Sequence, residues 1–369
     1  MQHDDAQAPI RWVTNIPTPY RLPLWNALRD TGPVDVICMR ATEPNRSWRA
    51  YELVREADAW VANAPRIQLS RELALYLPNR ALLSRLALPS AAVIIDGWES
   101  PAYVAAAWLA RKKGLPLVIC YRGTLASQRF RRGPVRRLRR HMFSLAGSIL
   151  TAGPASSAAV ATDGVPVGRI VEGVNAVDVD AFAGRARAEA IGDLEGHRFL
   201  AVGQLIRRKN VGGIIEAFAG VSNAQDRLSI IGDGPLLGEL KQLTRSLGVQ
   251  DRVHFLGSLD QEDVIREYGR ANTLVLASTE EVYGLVVSEA LACGLHAVVS
   301  AAAGCAESVQ GMKGVYLSEP TTPQLVAAMR DSRSAWRGRI KSPSILAHTP
   351  TAAADRVRWA TQLAAERKI

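Results

Sequence analysis

Glu281 and Glu289 are the residues whose type and spacing best suit chemistry in this sequence. They bracket a turn at Gly284 inside the stretch STEEVYGLVVSEALACG, residues 278–294. The apolar run 273–277 before it reads as a buried strand. The residues after Gly284 predict a helix with Leu285, Val286, Leu291 and Ala292 as its inner face. Glu281 then sits at the mouth of the loop, and Glu289 about one turn into the helix. The first N–H groups of such a helix have no partner within it and form a ready anion site. Carboxylates that grip hydroxyls, beside amides that grip phosphate, suit a sugar nucleotide. Two glutamates on a strand–turn–helix are also compatible with a plain solvated surface, so the surrounding elements carry the decision.

Those elements read as α/β. In the second half, strands fit 199–202, 228–231, 253–256, 274–276, 297–300 and 315–317, with helical patterns between them. Leu236, Leu240, Leu243 and Leu247, for example, share one helical face. Alternation of this kind implies parallel strands with right-handed crossovers. The first half predicts strands at 10–15, 34–39, 92–95, 117–120 and, as its last, 148–152. Residues 40–70 hold Trp48, Tyr51 and Trp60 among charges without clear periodicity and are expected to form a long loop region. The charged, Ala- and Gly-rich residues 183–197 read as a linker.

Composition sets the outer limits. A chain of 369 residues that is 48% hydrophobic supports about two full cores. Mean hydropathy is near zero, and no apolar run is long enough to span a bilayer. The polar, acidic opening MQHDDAQAP does not read as a secretory signal. Cys38, Cys120, Cys293 and Cys305 are scattered, without metal-ligand spacing, and suggest buried thiols in a reducing compartment. The expected location is therefore cytoplasmic, with no metal and no cofactor. A net charge of +10 suits nucleic acid, an anionic membrane face or phosphorylated small molecules equally well.

The charge concentrates in QRFRRGPVRRLRRH, residues 128–141. There Arg136, Arg137, Arg139 and Arg140 surround an apolar row of Val135, Leu138, Met142 and Leu145 at helical spacing. A basic amphipathic helix of this kind either carries a solvated face or lies on the inner, anionic face of a membrane. No aromatic residue stands among Arg136, Arg137, Arg139 and Arg140, which argues against nucleic acid.

Four motifs in order over residues 199–310 point further. Gly203-Gln204-Leu205-Ile206-Arg207-Arg208-Lys209-Asn210 follows the first strand of the second half and opens a helix. Gly232-Asp233-Gly234-Pro235 and Phe255-Leu256-Gly257-Ser258-Leu259 follow the next two strands, and the Glu281/Glu289 stretch comes last. Together they resemble the retaining glycosyltransferases of family 4, whose E-x7-E signature has the spacing of Glu281 and Glu289. The resemblance implies the GT-B fold, two Rossmann-like lobes with a ligand cleft between them. Residues 1–172 would be the acceptor-binding domain and 173–350 the nucleotide-sugar-binding domain. Residues 351–369 would form a helix that packs back on the first domain.

The resemblance also assigns roles. Glu281 would contact the donor sugar near its reacting face, and Lys209 with Arg207 would stabilise the departing diphosphate. Gly203, Gln204, Arg208, Gly232, Gly234, Leu256, Ser258, Tyr283, Gly284, Leu285, Val286 and Glu289 would line the donor site, Glu289 on the ribose hydroxyls. Gln204 stands where the family usually has arginine, and either Arg207 or Arg208 is left to supply that charge.

In the first half, Pro17-Thr18-Pro19-Tyr20-Arg21 and Asp96-Gly97-Trp98-Glu99-Ser100-Pro101 resemble a subgroup acting in surface-polysaccharide and secondary-metabolite synthesis. Tyr20, Arg21, Asp96, Glu99 and Arg122 become acceptor-binding candidates. Otherwise Asp96 and Glu99 would cap the following helix. Arg122 or Thr124 occupies the loop where many members carry a histidine. The expected partners are a UDP- or GDP-sugar donor and a glycan, lipid-linked or small-molecule acceptor. An epimerase or phosphorylase of the same fold and a non-catalytic anion-binding protein are the rival readings.

Overall fold

Aliphatic runs bounded by glycine, proline and asparagine form the strands, and the amphipathic segments between them form helices that cover both sheet faces. The computed structural model describes residues 8–43, 50–69, 74–188 and 195–367. The chain divides into two compact units, residues 1–176 with 350–369, and residues 177–349.

The first unit contains β1 (Ile10–Thr14), β2 (Val34–Cys38), β3 (Ala59–Val61), β4 (Arg66–Gln68), β5 (Ala74–Tyr76), β6 (Ala92–Ile95), β7 (Leu117–Tyr121), β8 (Ser148–Thr151) and β9 (Ile170–Glu172). Its helices are α1 (Leu22–Arg29), α2 (Ala50–Glu56), α3 (Arg80–Ala87), α4 (Pro101–Lys112), α5 (Gly133–Leu145) and α6 (Pro154–Thr162). Seven strands make one sheet in the order β3-β2-β1-β6-β7-β8-β9, while β4 and β5 pair separately. Alternate residues face opposite sides, as strand geometry requires. Val13, Ile37, Ile95 and Ile119 join one core with Tyr103 of α4. Trp12, Val36, Ile94 and Val118 join the other with Trp25 of α1.

The second unit contains β10 (Arg198–Val202), β11 (Arg227–Ile231), β12 (Val253–Gly257), β13 (Thr273–Leu276), β14 (His296–Ser300) and β15 (Val315–Ser318). Its helices are α7 (Val179–Ala188), α8 (Val211–Val221), α9 (Leu237–Ser246), α10 (Gln261–Arg270), α11 (Leu285–Ala292), α12 (Ala306–Val309) and α13 (Thr322–Ala335). Its sheet runs β12-β11-β10-β13-β14-β15, with every pairing parallel. Renumbered from its first strand this is 3-2-1-4-5-6, the doubly wound order. The final helix, α14 (Pro350–Glu366), belongs to the first unit. Its Ala354, Val357 and Ala360 are buried in the core that holds Trp12 and Trp25, and Ser148 Oγ donates to Ala360 O at 2.8 Å.

Five expectations need correction. The described parts of residues 40–70 are not one loop, because they contain α2, β3 and β4. These elements are too short to show a period; Trp48 and residues 44–49 lie outside the described residues. The last strand of the first half is β9, not β8. Residues 183–188 continue α7 rather than beginning a linker. The inner face of α11 is Val287, Ser288, Ala290, Leu291 and Ala292, so Leu291 and Ala292 face inward as expected, while Leu285 and Val286 keep partial exposure at its first turn.

The fifth correction concerns α5. Its Arg139 is buried at 2% exposure and bonds Asp163 Oδ2 at 2.5 Å, while Arg136 bonds Asp163 Oδ1 at 2.9 Å. Leu138 points outward instead, at 39% exposure. The buried face of the helix is Arg139, Met142 and Phe143, with Val135 and Leu145 half-buried, so Leu138 alone of the apolar row is exposed. Burial alone would raise the Asp163 carboxyl, but hydrogen bonds from Arg139 and Arg136 hold it below its ordinary value.

Candidate active site

In a doubly wound sheet, adjacent strands whose crossovers run in opposite directions leave a crevice at their carboxyl ends. In the second unit this point lies between β10 and β13. The loop after β10 carries Lys209 on a single 3-10 turn, Arg207–Lys209. The loop after β13 carries Glu281. Lys209 Nζ donates to Glu281 Oε2 across the switch point, with only 17% and 11% of the two side chains exposed. Thr279 N donates to Arg208 O at 2.8 Å, and Gly304 N donates to Glu281 O at 3.0 Å. The pair is therefore held by backbone on both sides.

Glycine is required where these loops meet. Gly232 has φ +130°, and a Cβ there would overlap the carbonyl oxygen of Gly203. A Cβ on Gly234 would lie 2.5 Å from Leu205 O. Leu205 N bonds Asp233 O at 2.9 Å, and Gly232 N bonds Gly257 O at 2.7 Å. The loops after β10, β11 and β12 thus stack backbone against backbone and bring the Gly203, Gly232 and Gly257 segments together. Leu256 is half-buried and Ser258 exposed on the outermost of them. Gln204 and Arg207 are exposed, and Arg208 is partly covered.

Gly284 caps α11 with φ +103°, a conformation that favours glycine. A Cβ would meet Leu276 Cδ2 at 2.9 Å. The turn leaves the first N–H groups of α11, those of Leu285 and Val286, beside the Glu281 loop. Tyr283 is buried, and its carbonyl accepts from Cys305 N at 2.9 Å. Glu289 accepts from the Tyr268 hydroxyl at 2.8 Å. Burial pushes the Glu289 carboxyl up to about 7, against the lowering effect of that hydrogen bond.

The first unit repeats the arrangement with other residues. Its switch point lies between β1 and β6. Arg21, from the loop after β1, pairs with Asp96 Oδ2, from the loop after β6. Arg122, after β7, bonds Asp96 Oδ1 at 3.0 Å and Asn175 Oδ1 at 3.2 Å. Burial alone would raise the Asp96 carboxyl, but Arg122 and Arg21 overcome it and hold it well below the usual carboxylate range. Glu99 accepts from Trp98 N at 3.0 Å, and burial raises its carboxyl. Neither acid caps α4, whose N-cap is Ser100. Tyr20 stands at the rim, 37% exposed.

Three residues beyond the sequence reading belong to these clusters. Asn175 lies in the irregular segment after β9 and carries no pattern of its own. Tyr268 reads as an ordinary core position of α10. Arg339, from an unpatterned segment, donates to Tyr268 O at 2.9 Å, Gly269 O at 2.6 Å and Cys293 O at 2.7 Å. It thereby ties together the carboxyl ends of α10 and α11. Among the described residues there is no group of three or more potential metal ligands, and no helix is long and apolar enough to cross a membrane.

The ammonium–carboxylate pair thus sits beside a helix N-terminus at the switch point of a doubly wound, Rossmann-like sheet. Residues 187–332, most of the second unit, match the family described as glycosyl transferases group 1. The N-acetyl-alpha-D-glucosaminyl L-malate synthase of Bacillus anthracis is 35% identical over 112 residues, 30% of this chain and 29% of that protein. The alpha-monoglucosyldiacylglycerol synthase of Streptococcus pneumoniae is 34% identical over 97 residues, 26% of this chain and 22% of that protein. The chain thus matches less than a third of the length of either relative. Among solved structures, Anabaena HepE in complex with UDP and glucose has a TM-score of 0.68 at 18% identity, covering 96% of this chain and 95% of that one. The apo lipopolysaccharide outer core galactosyltransferase WaaB has a TM-score of 0.71 at 15% identity, covering 95% and 98%. The fold is the GT-B type, with two Rossmann-like units.

Proposed function

We propose that this chain is a retaining glycosyltransferase that moves a sugar from a nucleoside diphosphate sugar to an acceptor hydroxyl. The observation that carries this reading is the Lys209–Glu281 pair across the switch point, beside the N-terminus of α11. Residues 173–350 hold the donor. Glu289 takes the ribose hydroxyls, and Gly203, Gly232 and Gly234 let backbone approach the nucleotide. Lys209, with Arg207 or Arg208 and the amides of Gly284, Leu285 and Val286, meets the negative charge that grows on the leaving diphosphate. Glu281 faces the reacting sugar. The leaving phosphate oxygen takes the acceptor proton, so the mechanism needs no separate base.

The first unit holds the acceptor through Tyr20, Arg21, Asp96, Glu99 and Arg122. A carboxylate fixed by two guanidinium groups is a directional acceptor for hydroxyls, which suits a glycan, lipid-linked or polyol acceptor. The relatives act in surface-glycan, glycolipid and small-molecule glycoside synthesis by their names, and this chain is assigned to the same range. Its four cysteines are free and buried, which favours the cytoplasm. The exposed Arg131, Arg132, Arg137 and Arg140, with exposed Phe130 and Leu138, form the surface for contact with an anionic inner membrane face.

Thermal shifts with UDP, GDP, ADP and dTDP test the reading. A nucleotide at about 100 times its Kd is expected to add about 2.7 kcal/mol, and the gain is expected to be lost in Lys209→Ala. Product analysis with the matching sugar nucleotide then reads the anomeric outcome. Absence of any nucleotide effect refutes the donor assignment. Sugar turned over without acceptor favours the epimerase or phosphorylase.

A further inference from the structure

Glu289 does not stand alone on α11. The Tyr268 hydroxyl lies 2.8 Å from Glu289 Oε2 and 3.4 Å from Val286 O. Its residue is fully buried, and Phe182 of α7 meets its ring edge-to-face at 6.1 Å. Arg339 fixes the backbone on which Tyr268 stands by bonding the carbonyls of Tyr268, Gly269 and Ala271. The same guanidinium bonds Cys293 O, one residue beyond α11. Both ends of the Tyr268–Glu289 hydrogen bond are thus tied to one arginine.

We propose that Tyr268 is a positioning residue for nucleotide recognition: it holds one oxygen of Glu289 so that the other meets a vicinal pair of ribose hydroxyls. This rests on the assignment of Glu289 to the ribose given above. A glutamate side chain turns about three bonds, and a single bond to a rigid, buried donor removes most of that freedom. The remaining oxygen keeps its lone pairs for ligand donors. A donor to the ionised carboxylate also favours its charged form. That matters for a group whose carboxyl burial has already moved to about 7. A tyrosine needed only for packing would do the same work as phenylalanine, which is the distinction the experiment exploits.

The test is a set of Kd measurements on the full chain with UDP, or with GDP or ADP if wild type prefers it, and with the matching 2′,3′-dideoxy nucleotide. Tyr268→Phe is expected to bind the ribonucleotide roughly tenfold more weakly, the scale of one hydrogen bond to a charged group. That loss is expected to vanish with the dideoxy ligand and in a Glu289→Gln background, the coupling a double-mutant cycle isolates. With a nucleotide sugar, whose phosphates do not titrate near neutrality, the acid-side loss of affinity is expected to begin at higher pH in Tyr268→Phe than in wild type. An equal loss for both ligands, or an equal loss in both backgrounds, makes Tyr268 a packing residue and overturns the proposal. Normal binding by Tyr268→Phe beside weak binding by Glu289→Gln overturns it while leaving the ribose role of Glu289 intact. Wild type indifferent to all three nucleotides removes the ribose assignment and this proposal together.

Discussion

Replacing Glu281 with glutamine tests how the donor enters its site. In the structure Lys209 is bound to Glu281, so a diphosphate that takes the ammonium must compete with a carboxylate already there. Both side chains are more than four-fifths covered, which limits screening by solvent. A hydrogen bond between charged groups is worth about 1.5–3 kcal/mol, and glutamine keeps the shape while surrendering most of that. Nucleoside diphosphate affinity is therefore expected to rise by roughly ten- to a hundredfold in Glu281→Gln, at 1.4 kcal/mol per decade. Turnover is expected to fall, because the carboxylate no longer faces the reacting sugar. Isothermal titration with the preferred diphosphate gives Kd, and initial rates with the sugar nucleotide give kcat and KM. A Kd equal to that of wild type would refute the competition. It would mean that the ammonium, with three N–H donors, serves carboxylate and phosphate at once.

The remaining predictions address the framework. Gly232→Ala is expected to cost at least about 1–3 kcal/mol in urea unfolding from backbone conformation alone, and more because its Cβ overlaps Gly203 O; a wild-type midpoint would refute the stacked-loop geometry. Burial lowers the His197 imidazole from 6.5 to about 4, so below pH 6.5 the unfolded chain binds a proton that the folded chain refuses. Stability is expected to fall by roughly 3 kcal/mol between pH 6.5 and 4, at about 1.36 kcal/mol per pK unit, and the excess slope is expected to disappear in His197→Gln. Arg137→Gln with Arg140→Gln is expected to weaken binding to anionic vesicles, by about 1 kcal/mol per charge, without changing the melting temperature. Asp163→Asn is expected instead to lower the melting temperature, since it leaves Arg139 buried without its carboxylate; vesicle indifference of the wild type refutes the membrane surface.

Legibility in the sequence followed burial. Each of the six strands of the second sheet was readable to within one residue at either end, because aliphatic runs such as Ala297-Val298-Val299 are covered on both faces and bounded by turn residues. Three-residue strands such as β3 and β9 carry no measurable period and are set by their neighbours in the sheet. Lys209 and Glu281 could be proposed from their order along the chain, but their mutual bond crosses 72 residues and depends on strand order. Arg139 is buried against Asp163, a partner 24 residues on and beyond the reach of any helical pattern. Tyr268 was hidden because a core tyrosine and one that steers a carboxylate look alike until the hydroxyl's neighbour is known.

The place of α14 has a consequence during synthesis. Trp12 and Trp25 emerge from the ribosome early, yet their core also includes Ala354, Val357 and Ala360. The second unit, residues 177–349, is made entirely in between. At translation rates of about 5–20 residues per second, the first-made unit waits roughly ten to thirty seconds for its final helix. During that interval the apolar face awaiting α14 is open to chaperones and to other nascent chains. The later-made unit is complete as soon as it clears the tunnel. Ribosome-stalled chains ending before and after α14 are therefore expected to differ in protease resistance in the first unit, while the second is protected in both.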